Sequence, residues 1–77
     1  MYNSLSYYDL SWLIGMGFKF GITDEVLWGT DKSGDEWQVL ADQGLFLRFA
    51  KYDKQTRTTE GNHEKMSHEQ FDELFHS

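Results

Sequence analysis

Apolar residues follow two rhythms along the chain. Near the N-terminus Leu5, Tyr8, Trp12, Leu13 and Met16 recur at spacings of three and four, which predicts one face of a helix. From Val26 the spacing falls to two. Val26, Trp28 and Thr30 share one side of an extended segment, and Trp37, Val39 and Ala41 share one side of the next. A third segment, 45–52, carries Leu45, Leu47 and Phe49 on one side and Phe46, Arg48, Ala50 and Tyr52 on the other. Apolar residues on both sides predict the most covered strand of a sheet. Helical spacing returns at the C-terminal end with Phe71, Leu74 and Phe75.

Capping and turn residues set the boundaries. Ser4 or Ser6 can cap the first helix, with Asp9 near the positive end of its dipole, so the helix is expected over 6–16. Gly15 and Gly17 supply stop signals, Gly17 being the better placed for a left-handed cap. "FKFGIT" then reads as a short extended connection carrying Phe18 and Phe20 to one side. Asp31-Lys32-Ser33-Gly34 and Ala41-Asp42-Gln43-Gly44 each end on Gly, where a left-handed residue makes a bulge beside a hairpin turn. Trp28 and Trp37, on either side of the first turn, are expected to meet as a cross-strand aromatic pair. Residues 54–62, "KQTRTTEGN", are polar with Thr56 and Thr58 alternating, and suit a solvated fourth edge strand or a loop. Ser67 with Gln70 three residues on forms a capping box, and Met66 with Phe71 forms its hydrophobic staple.

These elements predict an α+β fold: an N-terminal helix, an antiparallel meander of three strands with room for a fourth, and a C-terminal helix packed on the sheet. Without proline, internal repeat or low-complexity tract, residues 1–77 read as a single small domain. A chain of 77 residues buries only about 60 to 65% of its unfolded surface. Its thirteen aromatics (six Phe, four Tyr, three Trp) compensate with large buried areas. With no cysteine, disulfides, thiolate metal sites and cysteine nucleophiles are excluded. The N-terminal stretch has no basic region, and Ser6, Asp9 and Ser11 interrupt its apolar run, so neither a signal peptide nor a membrane span is expected and the protein reads as cytoplasmic.

Charge is the most informative feature for function. The net charge is −6, and it is unevenly placed. Residues 24–42 hold Asp24, Glu25, Asp31, Asp35, Glu36 and Asp42 against Lys32 alone, and residues 58–77 hold five acids against Lys65. Between them Arg48, Lys51, Lys54 and Arg57 stand against Asp53. An acidic surface complements a basic one, so the six hairpin acids are the candidate residues for contact with a protein partner, a nucleic-acid-binding protein among the candidates. The expected function is that of a small non-enzymatic interaction module, such as an inhibitor that occupies a basic cleft; its size and charge are analogous to those of inhibitors from mobile elements. The alternative is a weak contact with nucleic acid through Arg48, Lys51, Tyr52, Lys54 and Arg57, although the chain lacks the net basic footprint such binding needs.

Other chemistry finds less support. Asp31, Ser33, Asp35 and Asp42 fall at oxygen-ligand positions of a calcium loop, but that loop needs Gly where Glu36 stands, Glu where Asp42 stands, and flanking helices. Turn chemistry accounts for the same residues more completely. His63 and His68, near Glu64, Glu69 and Asp72, are five apart and miss the His-Glu-x-x-His spacing; with His76 they read as surface histidines. No nucleophile elbow, phosphate-binding loop or dinucleotide fingerprint occurs, so no enzyme, metal or cofactor is expected.

Overall fold

The computed structural model describes residues 4–21, 26–41 and 45–76. Its fold is α+β, with two α-helices and an antiparallel sheet of six strands where three or four were expected. Strands β1 (Lys19–Phe20), β2 (Leu27–Thr30), β3 (Glu36–Ala41) and β4 (Leu47–Asp53) are neighbours in that order. The outer edge of β4 is shared by two short strands: β5 (Thr58–Thr59) pairs with Tyr52 and Asp53, and β6 (Glu64–Lys65) pairs with Arg48 and Phe49. Each additional strand has only two residues, too few for an alternating pattern to be legible, yet together they satisfy backbone groups that β4 would otherwise leave open. Within 54–62 only Thr58 and Thr59 are strand; a turn precedes them, with Arg57 at φ 59°.

The first helix is shorter than its apolar spacing predicts. Ser6 is the cap: its Oγ accepts the Tyr8 N–H at 3.3 Å, while its own N–H donates to Asp9 Oδ2 at 2.8 Å. A 3-10 turn, Tyr7–Asp9, follows, and the α-helix α1 spans Leu10–Gly15. A 3-10 turn advances three residues per turn rather than 3.6, and the expected stripe loses phase across it. Leu5 and Leu13 are fully buried, but Tyr8 is 82% exposed and Trp12 and Met16 stay partly in solvent. Leu5 lies outside the helix, in an extended segment whose N–H donates to Met66 O and whose carbonyl accepts the Leu47 N–H. Gly17, at φ 113°, turns the chain out of the helix as its position predicts.

The first hairpin decides which side chains face the core. The Gly34 N–H donates to Asp31 O and the Asp31 N–H donates to Asp35 O, enclosing a three-residue loop with Gly34 at φ 92°. This is the bulged turn expected from Gly34. Its odd loop length sets Trp28 opposite Gln38 and Gly29 opposite Trp37. A register shifted by one residue exchanges the faces of a strand. The expected Trp28–Trp37 pair therefore does not form: Trp37 shares a face with Leu27 and Val39, and Trp28 points to the other side with Gln38.

Both helices pack on the Leu27–Val39–Phe49 side. The cap of α2 (His68–Phe75) is Ser67, as predicted, and the Ser67 half of the expected capping box is present, its Oγ accepting the Gln70 N–H at 3.1 Å; the staple residues Met66 and Phe71 are both buried. Phe71 sits at the centre of an aromatic cluster, stacked on Phe75 at 4.5 Å and near the rings of Trp12, Phe18 and Phe49. Leu5, Leu13, Leu27, Val39 and Leu47 complete this core. Leu45, expected in line with Leu47 and Phe49, lies before the start of β4 and is half exposed.

Gly29 is required by this packing, because a Cβ there would fall within the Phe18 ring. Gly29→Ala is expected to destabilise the fold by about 1–2 kcal/mol, as the overpacking penalty exceeds the gain from a better strand residue. Thermal unfolding of the variant checks this; an unchanged or raised Tm would show that the Phe18 ring relocates freely.

Candidate functional site

The acidic hairpin and the basic stretch, separate in sequence, meet across β3 and β4. Trp37 is paired with Lys51, which brings the start of β3 alongside the end of β4. Lys51 Nζ lies 3.3 Å from Asp35 Oδ2, and Lys54 Nζ lies 3.0 Å from Glu36 Oε1. Two of the predicted contact acids are thus partnered by two of the predicted contact bases. The strand period divides the predicted basic stretch: Arg48 and Tyr52 take the side away from the helices, Lys51 takes the helix side near the Trp37 ring, and Arg57 lies in the turn before β5. The stretch Arg48 to Arg57 is consequently not one surface. Asp24, Glu25 and Asp42 lie outside the described residues.

Asp31 is not a surface acid at all. It is 7% exposed. Its Oδ1 accepts the Ser33 and Asp35 amide N–H groups, both at 2.9 Å, and its Oδ2 accepts the Trp37 indole N–H at 2.8 Å. Burial alone would raise its pKa. The Trp37 bond outweighs that effect together with the two amides and the Lys51 charge, and the carboxyl is held below its ordinary value. Both oxygens are committed to N–H donors, and 36–41 of the would-be calcium loop is strand, so the residues that suggested a cation loop instead close a hairpin.

The side of the sheet away from the helices carries a second, smaller cluster. Trp28 and Tyr52 pack edge to face with ring centroids 5.0 Å apart. Gln38 lies between Trp28 and Ala50 in the pairing, and Ala50 is buried although no described helix covers it. His63 Nε2 is 3.1 Å from Gln38 Oε1, and burial pushes the imidazole pKa down. The other histidines are apart from it, His68 Nε2 being 3.6 Å from Asp9 Oδ2 and His76 Nε2 3.8 Å from Asp72 Oδ1. Among the described residues no three metal-ligating side chains converge, and no helix is long and apolar enough to cross a membrane.

Two shallow grooves flank this cluster and share Glu36. One, of about 370 Å³, is lined by Asp35, Glu36, Tyr52, Asp53, Lys54 and Glu60, four carboxylates against one ammonium. The other, of about 520 Å³, runs past Met16, Lys19, Trp28, Thr30 and Glu36. Asp53, Glu60 and Trp28 were not among the expected contact residues. Trp28 was legible in principle, because counting three loop residues between Asp31 and Asp35 places it on the face of Glu36; the convergence of Asp53 and Glu60 depends on the β4–β5 turn and had no sequence signal.

Asp31→Asn is expected to cost about 2 kcal/mol, since the new amide N–H would oppose the Trp37 indole N–H in a buried site. The native carboxyl has a folded pKa lower than its ordinary 3.8. Its stabilisation is therefore complete above that value and is lost as pH falls through the lower folded pKa. Denaturant unfolding of both proteins at neutral pH and at about pH 3 checks this; the stability gap between them should narrow in acid, and a constant gap would contradict it.

No protein-family model, no curated protein and no solved structure matches this chain significantly.

Proposed function

We propose that the protein is a non-enzymatic interaction module that docks an acidic surface on the basic surface of a protein partner, in the manner of an inhibitor occupying a nucleic-acid-binding cleft. The observation that carries this reading is the convergence of Asp35, Glu36, Asp53 and Glu60 around Tyr52 at one end of the sheet. Carboxylates at the rim of an aromatic floor complement arginine and lysine, which are drawn by long-range attraction and held by contact with the ring. The existing pairs with Lys51 and Lys54 do not oppose docking. Exposed ion pairs contribute only about 0–1 kcal/mol, so a partner's cations can replace the intramolecular ones at little loss. Among the described residues the reading differs from the sequence expectation in three: Asp31 supports the hairpin from within, and Asp53 and Glu60 join the acids that line the groove.

The test is reversal of charge at the hairpin. Asp35→Lys with Glu36→Lys should weaken binding to a basic probe protein such as a histone by about tenfold or more at low salt, and most of the difference should vanish at high salt. The two substitutions place ammonium groups beside Lys51 and Lys54, so a stability loss of about 1 kcal/mol is expected alongside. Calorimetric titration at two ionic strengths, with melting curves, separates the effects. Wild-type affinity retained in the folded double variant would exclude this end of the sheet as the docking surface.

A further inference from the structure

Glu36 differs from the other acids of the surface in what surrounds it. It is in register with Thr30 on β2, and one step beyond the Trp37–Lys51 pair it falls beside Tyr52 on β4. Trp28 is two residues from Thr30 on the same face of β2, and its ring meets Tyr52 edge to face at 82° between planes. Two near-perpendicular aromatic rings thus share a face of the sheet with Glu36, and the groove that runs past Trp28 and the groove that runs past Tyr52 are both lined by Glu36. A cation entering either groove reaches the negative charge of Glu36 while its sides touch a ring. Such a corner suits an arginine or lysine side chain, whose charged end is held by the carboxylate and whose flat or methylene surface lies on an aromatic face.

The chain supplies its own occupant. Lys54 Nζ is 3.0 Å from Glu36 Oε1, and the Lys54 side chain is 71% exposed, held at the carboxylate and little elsewhere. Lys54 also lies just past the end of β4, in the turn toward β5, where its release would break no strand pairing.

We propose that Glu36, flanked by Trp28 and Tyr52, is the receptor for a single arginine or lysine side chain of the protein partner, and that Lys54 occupies this receptor in the free protein and is displaced on docking. The inference rests on the acidic-module reading above and names the one contact within it that is specific rather than a property of the overall field. Asp35, in contrast, is bound to Lys51 on the helix side of the sheet, the face opposite the Trp28–Tyr52 pair.

The experiment titrates a nona-arginine peptide into the full chain and follows both affinity and the indole N–H resonances. Glu36→Gln keeps the side-chain shape and should weaken binding about tenfold, whereas Glu69→Gln, which removes the same charge from the exposed side of α2, should weaken it no more than about twofold. Lys54→Gln should tighten binding by about threefold, and Lys32→Gln, an equal change of charge in the hairpin loop, by clearly less. In the wild type the Trp28 indole resonance should move on titration while that of Trp37, tied to Asp31 on the opposite side, stays in place. Equal effects of Glu36→Gln and Glu69→Gln, or of Lys54→Gln and Lys32→Gln, would overturn the receptor and leave a diffuse acidic surface. Absence of any binding by the wild type at low salt would overturn the receptor and the acidic-module reading together.

Discussion

The buried carboxylate of Asp31 is the constraint on which the rest of the sheet depends. A hairpin loop of three residues and one of two differ by a single step of register, and that step exchanges the two faces of a strand. Asp31 gathers the Ser33 and Asp35 amides and the Trp37 indole onto one side chain, which closes the loop at three residues and draws Trp37 toward the helices. With Trp37 turned inward against Phe75, Trp28 is necessarily turned outward. A carboxylate buried among apolar groups is costly unless every oxygen is satisfied, and here no described buried side-chain polar atom lacks a partner.

That division of the tryptophans explains how so short a chain forms both a core and an aromatic surface. On the helix side Phe18, Phe49, Phe71 and Phe75 fill the space between two short helices and the sheet, and Gly29 makes room for Phe18. The other side has no helix to bury it. There Trp28 packs on Tyr52, Ala50 is buried, and Gln38 and His63 satisfy one another. The cluster covers what the strand exposes and still leaves aromatic rings next to solvent, a combination common where proteins meet partners.

Charge follows the same geometry. The acidic and basic stretches appear as competing surfaces along the chain, but antiparallel pairing of β3 with β4 sets them side by side, and Asp35 and Glu36 are met by Lys51 and Lys54. Glu36 differs from the other acids of this end of the sheet in lining both the groove past Trp28 and the groove past Tyr52.

The α+β class, the cap of the second helix, the staple of Met66 on Phe71 and the bulged turn at Gly34 were legible because each depends on residues within a few positions of one another. The first helix was legible in place but not in phase, since nothing in the residue spacing of 6–16 marks Tyr7–Asp9 as a 3-10 turn. The short strands β1, β5 and β6 exist because the long strands beside them have open edges, a property of the assembled sheet. Burial of Asp31 likewise required Trp37 to be brought over it, and an isolated Asp-Lys-Ser-Gly turn would leave that carboxylate in water. Local sequence determined the Gly34 turn and the Ser6 and Ser67 caps, while the turn expected at 41–44 lies outside the described residues; tertiary structure decided which of the protein's charges and aromatic rings face outward together, because those neighbours are joined by register and not by the chain.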